Sequence, residues 1–181
     1  NYAEKFKTEL AKQEEAYQPI LQMQGVMDKA DVHIYRYQAA TEALNLGGQH
    51  FSVVIDSAGR LKGMTRMNLG LMSNSQLSAD NTEKIARAFL SNYAPDLLTH
   101  LELQWIKPHD ETIMAEDGKQ HKLIGMKVKC RDTSTGLYFW VVVAADASVM
   151  IIERDINWNF IVGGRQTEKW LHDSWLSGRL D

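Results

Sequence analysis

Cysteine is almost missing from this chain. Cys130 is the only one, so no disulfide can close within it and no thiolate zinc cluster can be assembled. Basic charge is not in excess either. Against 20 Lys and Arg stand 23 Asp and Glu, a net charge of −3, so the electrostatic footprint that binding to a phosphate backbone requires is absent and nucleic acid is not an expected partner. No apolar run approaches the roughly 20 residues of a membrane-spanning helix; the longest runs from Leu137 to Ala145. Glycines flanking a nucleophilic serine, a phosphate loop, a dinucleotide glycine fingerprint and the paired-histidine zinc helix are all lacking. These absences remove the commonest recognisable enzyme classes, and neither a catalytic residue nor a cofactor is expected.

What is present is ordinary globular material. Apolar residues make up 44% and charged residues 24% of 181, too apolar for disorder and long enough for one core. Any signal peptide or lipid anchor belongs upstream of Asn1.

Residues 3 to 18 are dominated by Glu, Lys, Gln and Ala, with Phe6, Leu10, Tyr17 and Leu21 at spacings of four and seven, which predicts a helix with a narrow apolar stripe. Pro19 kinks it or opens a second segment, in which Ile20, Met23 and Met27 continue an apolar face to about Lys29. Val32 to Gln38 favours strand, and Ala39 to Leu46 reads as a turn of helix or a loop ending at Gly47-Gly48. Phe51, Val53 and Ile55 then alternate with His50, Ser52 and Val54; Asp56-Ser57-Ala58-Gly59 supplies turn chemistry before a second strand near Arg60 to Asn68. This is a β-hairpin. Asp80-Asn81-Thr82-Glu83 resembles a capping box for a helix with Ile85, Phe89 and Tyr93 on its apolar face, and Pro95 stops that helix.

Beyond Pro95 the period is two. Leu101, Leu103 and Trp105 alternate with Glu102 and Gln104, and Ile124, Met126, Val128 and Cys130 alternate with Lys127, Lys129 and Arg131. Leu137 to Ala145 is apolar on both faces, Val149 to Trp158 returns after a turn, and Gln166 to Leu176 predicts a closing helix with Trp170, Leu171 and Trp175 on one side. Strands come in blocks, so the expected class is α+β: a curled antiparallel β-sheet meander packed against helices, in one domain spanning 1–181.

Candidate sites are dispersed. His100, Glu102, His109, Asp110, Glu111 and His121 are metal donors by type, with His100 and Glu102 on one strand face, but the spacing is loose and a solvated loop is preferred; no metal is expected. Glu153 and Asp155 point to one face of the last strand, with Arg154 on the other, and read as solvent-facing rather than as an acid/base pair. Cys130 lies on an apolar face and reads as an inert buried thiol. The aromatics stand out. Tyr138 and Trp140 share a strand face and, with Trp158, are the candidate binding residues, whereas Trp170 and Trp175 read as pins for the final helix. Met23, Met27, Met64, Met67 and Met72 either line an adaptable groove or fill core gaps.

Phe51 to Gly59 and Phe139 to Ser148 share a plan: aromatic, β-branched run, Asp and a small turn residue. Thr82 to Leu90 as an amphipathic helix, Gly136 to Val143 as an aromatic strand, and Asp146-Ala147-Ser148-Val149 as the turn leaving it together resemble the PepSY-type domain family. The likeness covers about residues 78–158, with a fainter copy earlier, so two PepSY-like halves, 1–77 and 78–181, are an alternative division; cystatin-like curved sheets show a similar arrangement. What the resemblance implies is a periplasmic or otherwise extracytoplasmic setting, such as that of a lipoprotein, and a regulatory role on a peptidase or envelope protein. The expected function is a non-catalytic interaction module that binds a protein partner. The alternative is a carrier or sensor holding a small apolar ligand in the concave face of the sheet.

Overall fold

Two blocks of alternating strands, each opened by a helix, account for nearly the whole chain. The computed structural model describes residues 1–39 and 43–180. Helix α1 (Tyr2–Gln13) is capped by Asn1, whose Oδ1 accepts from the Ala3 and Glu4 amides at 3.1 and 3.3 Å, and it buries Ala3, Phe6 and Leu10. Strands β1 (Tyr17–Met27), β2 (Ala30–Ala39), β3 (His50–Asp56) and β4 (Leu61–Met67) follow. Helix α2 (Ala79–Tyr93) then introduces β5 (Leu101–Met114), β6 (Gln120–Asp132), β7 (Tyr138–Ala144) and β8 (Val149–Ile156). A two-residue ladder of β9 (Trp158–Asn159) with β10 (Gly164–Arg165) and one helical turn, α3 (Asp173–Leu176), finish the chain.

The eight long strands form one antiparallel sheet in the order β1-β2-β3-β4-β8-β7-β6-β5. Each of α1 and α2 is thus followed by a four-stranded meander, and the meanders join through their fourth strands, with Gly63, Met64 and Thr65 opposite Glu153, Ile152 and Ile151. The two similar sequence segments, Phe51 to Gly59 and Phe139 to Ser148, contain β3 and β7, the third strand of each meander.

Both helices lie on one face of this sheet. There Phe6, Leu10, Ala86 and Leu90 pack onto Phe51, Met64, Phe139, Val141 and Ile152, and the Phe6 ring meets Phe89 and Tyr93 edge-on at 5.5 and 4.9 Å. On the opposite face Val32, Ile34, Val54, Leu123, Trp140 and Val142 form a second core, covered by Leu171 and Trp170 of the C-terminal segment. That segment approaches the sheet closely because two glycines lie beneath it. A Cβ on Gly25 would stand 2.6 Å from two Trp170 ring atoms, and one on Gly63 would stand 2.5 Å from Leu171 Cδ1.

The α+β expectation is overturned. Strand accounts for 46% of the structure and helix for 23%, in short helices, so this is a sheet-dominated fold rather than a curled meander in balanced α+β packing with helices. Three segments make the difference. Residues 17–27 are strand, not helix: Met23 and Met27 are four apart, a spacing that satisfies periods of both two and 3.6. Pro19 is accommodated because β1 is an edge strand with a register shift between Pro19 and Leu21. Asp28 and Lys29, with φ of 52° and 65°, make the tight turn into β2.

Residues 106–114 continue β5 rather than forming a loop, and pair with β6 out to Met114 opposite Gln120. Residues 166–172 are irregular, so the closing helix shrinks to the α3 turn. Smaller differences concern boundaries. The N-cap of α2 is Ser78, whose Oγ accepts from the Asn81 amide at 3.2 Å, in place of Asp80. Residues 43–49 form turns and irregular chain, and the rest of the expected helical turn or loop, 40–42, lies outside the described residues.

Candidate functional site

The face opposite the helices carries polar side chains at its centre, where an apolar core would ordinarily continue. Alternation along four neighbouring strands delivers them: Arg36 from β2, His50 and Ser52 from β3, Thr65 from β4 and Glu153 from β8, all buried. The C-terminal segment supplies their partners. Asp173 accepts from Arg36 Nη1 and Nη2 at 2.7 and 3.1 Å and from the Gly47 amide at 2.7 Å. Glu153 accepts from Arg165 and lies 3.0 Å from His172 Nε2. His50 Nδ1 is 2.8 Å from the Gly48 carbonyl, and its Nε2 is 3.4 Å from Thr65 Oγ1.

Burial and charge set the protonation of this cluster. His50 is pushed down to about 4, first by burial and then by the Arg36 guanidinium, which together outweigh Asp173, so its ring is neutral near pH 7. Burial favours a higher value for Glu153, yet the His172 hydrogen bond and the Arg165 charge hold its carboxyl down at about 2. Asp173 is likewise opposed by burial and held below its ordinary value by the His50 and Arg36 charges and the Gly47 amide; with His50 neutral, Arg36 carries the effect near pH 7. Beside the cluster lies an open cleft of about 450 Å³, bounded by His50, Thr65, Glu111, Glu153 and Asp173 together with Met67, Ile113, Ile151 and Leu171.

A second feature occupies the same face further along β5 to β7. Cross-strand register places Lys129 opposite Trp105 and Trp140, and Lys107 opposite Lys127. The ammonium of Lys129 lies 4.7, 5.1 and 5.5 Å from the ring centres of Trp158, Tyr138 and Trp105; that of Lys127 lies 4.1 Å from Trp140, and that of Lys107 4.9 Å from Trp105. Burial is the first cause lowering the pKa of both Lys127 and Lys129, and neighbouring lysines add to it. Next to Trp158 and Tyr138 the β9–β10 loop projects Phe160, Ile161 and Val162, which are 71%, 97% and 67% exposed.

The three aromatics singled out from sequence do come together here, in unequal roles. Tyr138 and Trp158 are half-buried at the surface, whereas Trp140 is 6% exposed and lies beneath Lys127. The lysines between them escaped the sequence reading, since Lys127 and Lys129 there are only the wet side of an alternating strand; their facing aromatics appear once the register is known.

Glu153 and Asp155 do not share a face. Asp155 has φ of 55°, which breaks the alternation. It turns to Lys62 and Arg154 on the helix-covered side, where Arg154 also pairs with Asp96. Of the candidate metal donors only His109 and Glu111 meet, at 2.8 Å, and among the described residues no group of three or more His, Cys, Asp or Glu is placed to hold a metal ion. Cys130 is 2% exposed and burial pushes its thiol up to about 12, an inert core position. Trp170 pins the C-terminal segment through its Nε1, which donates to the Val26 carbonyl at 2.9 Å, and it packs edge-on against Trp175 at 4.6 Å. No family model matches the chain, and no curated protein matches it as a relative.

Proposed function

We propose that the protein is a non-catalytic docking module that holds an acidic segment of a protein partner on the lysine and aromatic face of β5 to β7. The observation that carries this reading is the interleaving of Lys107, Lys127 and Lys129 with Trp105, Tyr138 and Trp158, continuous with the exposed Phe160-Ile161-Val162 tip. Cations held over ring faces favour carboxylates, and half-buried aromatics beside a projecting apolar tip supply the desolvated anchors that dominate interface energies. The PepSY-like pattern over residues 78–158 supports a partner in the extracytoplasmic space.

The carrier alternative asks for an apolar cavity, and two features weigh against it. Between sheet and helices Phe6, Phe51, Phe139 and Leu90 pack together and leave a pocket of only about 250 Å³ that also meets Glu9, Gln13 and Arg66, while the open cleft on the other face is bordered by carboxylates.

The test is fluorescence polarisation with a labelled peptide of alternating Glu and Leu, against its Lys and Leu counterpart. The acidic peptide should bind, weaken as salt rises, and lose at least tenfold in affinity in the double substitution Lys107→Glu, Lys129→Glu and in Trp158→Ala, with circular dichroism unchanged. Absence of binding, or binding indifferent to charge reversal, refutes the reading. Binding instead to anionic lipid vesicles through the Phe160 tip would replace a protein partner with a membrane surface.

A further inference from the structure

The cleft beside His50 and Glu153 is separate from the docking face, and its chemistry is one-sided. Both arginines at its wall are already engaged, and Lys127, the other cation close by, is held over the Trp140 ring. Arg36 gives Nη1 and Nη2 to Asp173 and Nε to Gln38, and Arg165 is spent on Glu153 and on the carbonyls of Thr167 and Glu168. The Gly47 amide is also taken by Asp173. Neutral His50 donates from Nδ1 to the Gly48 carbonyl, which leaves Nε2 as an acceptor whose partner among the described residues is the Thr65 hydroxyl at a long 3.4 Å. The charged part of the wall therefore presents lone pairs, the carboxylates of Glu111, Glu153 and Asp173, beside the His50 nitrogen and the Thr65 oxygen; the hydroxyls of Thr112, Ser174 and Ser177 there can donate or accept.

The charge balance points the same way. Arg165 and Arg36 offset Glu153 and Asp173, while Glu111 meets the His109 ring at 2.8 Å and its negative charge acts on both His50 and Lys127. An anion entering the cleft would meet three carboxylates, with only neutral serine and threonine hydroxyls as donors among the described lining residues, at a cost set by the low local dielectric. An inorganic ion needs converging ligands, and among the described residues no set of three is so placed. Opposite the polar wall, Met67, Ile113, Ile151 and Leu171 offer a dry surface for a short hydrocarbon body. At about 450 Å³ the cleft falls within the range of small-molecule sites.

We infer that this cleft binds a small organic cation, with a primary ammonium or guanidinium head donating to Glu111 and the His50–Thr65 acceptors and a short aliphatic body resting on Ile113, Ile151 and Leu171. The site unites both meanders with the C-terminal segment: His50 and Thr65 come from the first, Glu111 and Ile151 from the second, and Leu171 and Asp173 from the segment.

Isothermal titration calorimetry on the full chain tests this with butylamine, 1,4-diaminobutane and butylguanidine, set against butyrate and 1-butanol as anionic and neutral isosteres, and against calcium and zinc chloride alone. The cations should bind while butyrate and butanol do not. Glu111→Gln, at the half-exposed rim, should weaken binding at least tenfold, and Thr65→Val, which keeps the side chain's shape, should weaken it several-fold. Lys129→Glu, on the docking face, should leave it unchanged, which separates this result from any failure of the docking reading. No heat with any amine at millimolar concentration, equal binding of butyrate, affinity untouched by Glu111→Gln, or a metal ion alone occupying the cleft overturns the inference.

Discussion

Replacing Glu153 by Gln isolates the ionic lock on the sheet face opposite the helices. Glu153 is 2% exposed and held by Arg165 and His172. Its carboxyl lies at about 2 in the folded chain against an ordinary 4.5. Because the folded value is the lower one, the carboxylate stabilises the fold at pH above its unfolded value, and that stability is lost as pH falls from about 4.5 through about 2. At 1.36 kcal/mol per unit the linkage is about 3 kcal/mol near pH 7, of which about 2 kcal/mol is gone by about pH 3. The neutral amide also leaves Arg165 buried beside an uncharged partner, so the penalty near pH 7 should reach about 3–5 kcal/mol. Urea unfolding followed by tryptophan fluorescence, on both proteins at both pH values, gives the comparison directly. The stability gap between wild type and Glu153→Gln should narrow by about 2 kcal/mol on acidification. A gap that is the same at pH 3 as at pH 7 would refute the assignment of an ionised, ion-paired Glu153, whatever the other carboxylates do, since they are common to both proteins.

Two further outcomes follow from packing and burial. With its thiol pushed up to about 12, Cys130 should be inert to a thiol reagent at pH 8, where about one molecule in ten thousand carries a thiolate, and should react promptly once urea unfolds the chain; rapid labelling of the native protein would contradict its place in the core. Gly25→Ala drives a methyl into the Trp170 ring, 2.6 Å away, and should cost about 1–3 kcal/mol in urea unfolding and alter Trp170 fluorescence; an unchanged midpoint would show that the C-terminal segment does not lie flat on β1.

How much of this was legible in sequence depended on whether local spacing distinguished one period from another. The β3–β4 hairpin and helix α2 were readable because alternation around Phe51, Val53 and Ile55, and the stop at Pro95, are unambiguous. The β1 strand was not, since apolar residues four apart fit both helix and strand, and the Gln-rich segment around them carries no β-branched signal beyond Ile20 and Val26. The irregular stretch 166–172 was mistaken for helix because Trp170, Leu171 and Trp175 have helical spacing. What holds it instead are single long-range bonds, such as Trp170 to Val26 and Thr167 Oγ1 to the Asn157 amide, which leave no local trace. The docking aromatics could be found by composition and strand parity, whereas the lysines over them depend on register between strands, which one sequence does not disclose.

The cleft was invisible for a deeper reason, and that reason also explains why it exists. Its polar members come from β2, β3, β4, β5, β8 and the C-terminal segment, so no window of sequence contains more than a fraction of them. They gather where the two meanders join, β4 against β8, on the face that neither helix covers. A seam of that kind must be closed by something from outside both meanders. The C-terminal segment does so with ionic contacts to each: Asp173 reaches Arg36 in the first, and Arg165 with His172 reaches Glu153 in the second. Buried ion pairs add little net stability compared with apolar packing, but each tolerates only one partner geometry. Charged rather than apolar closure therefore fixes the register of the segment on the seam, and it keeps open beside the seam a cleft that a well-packed apolar cover would have filled.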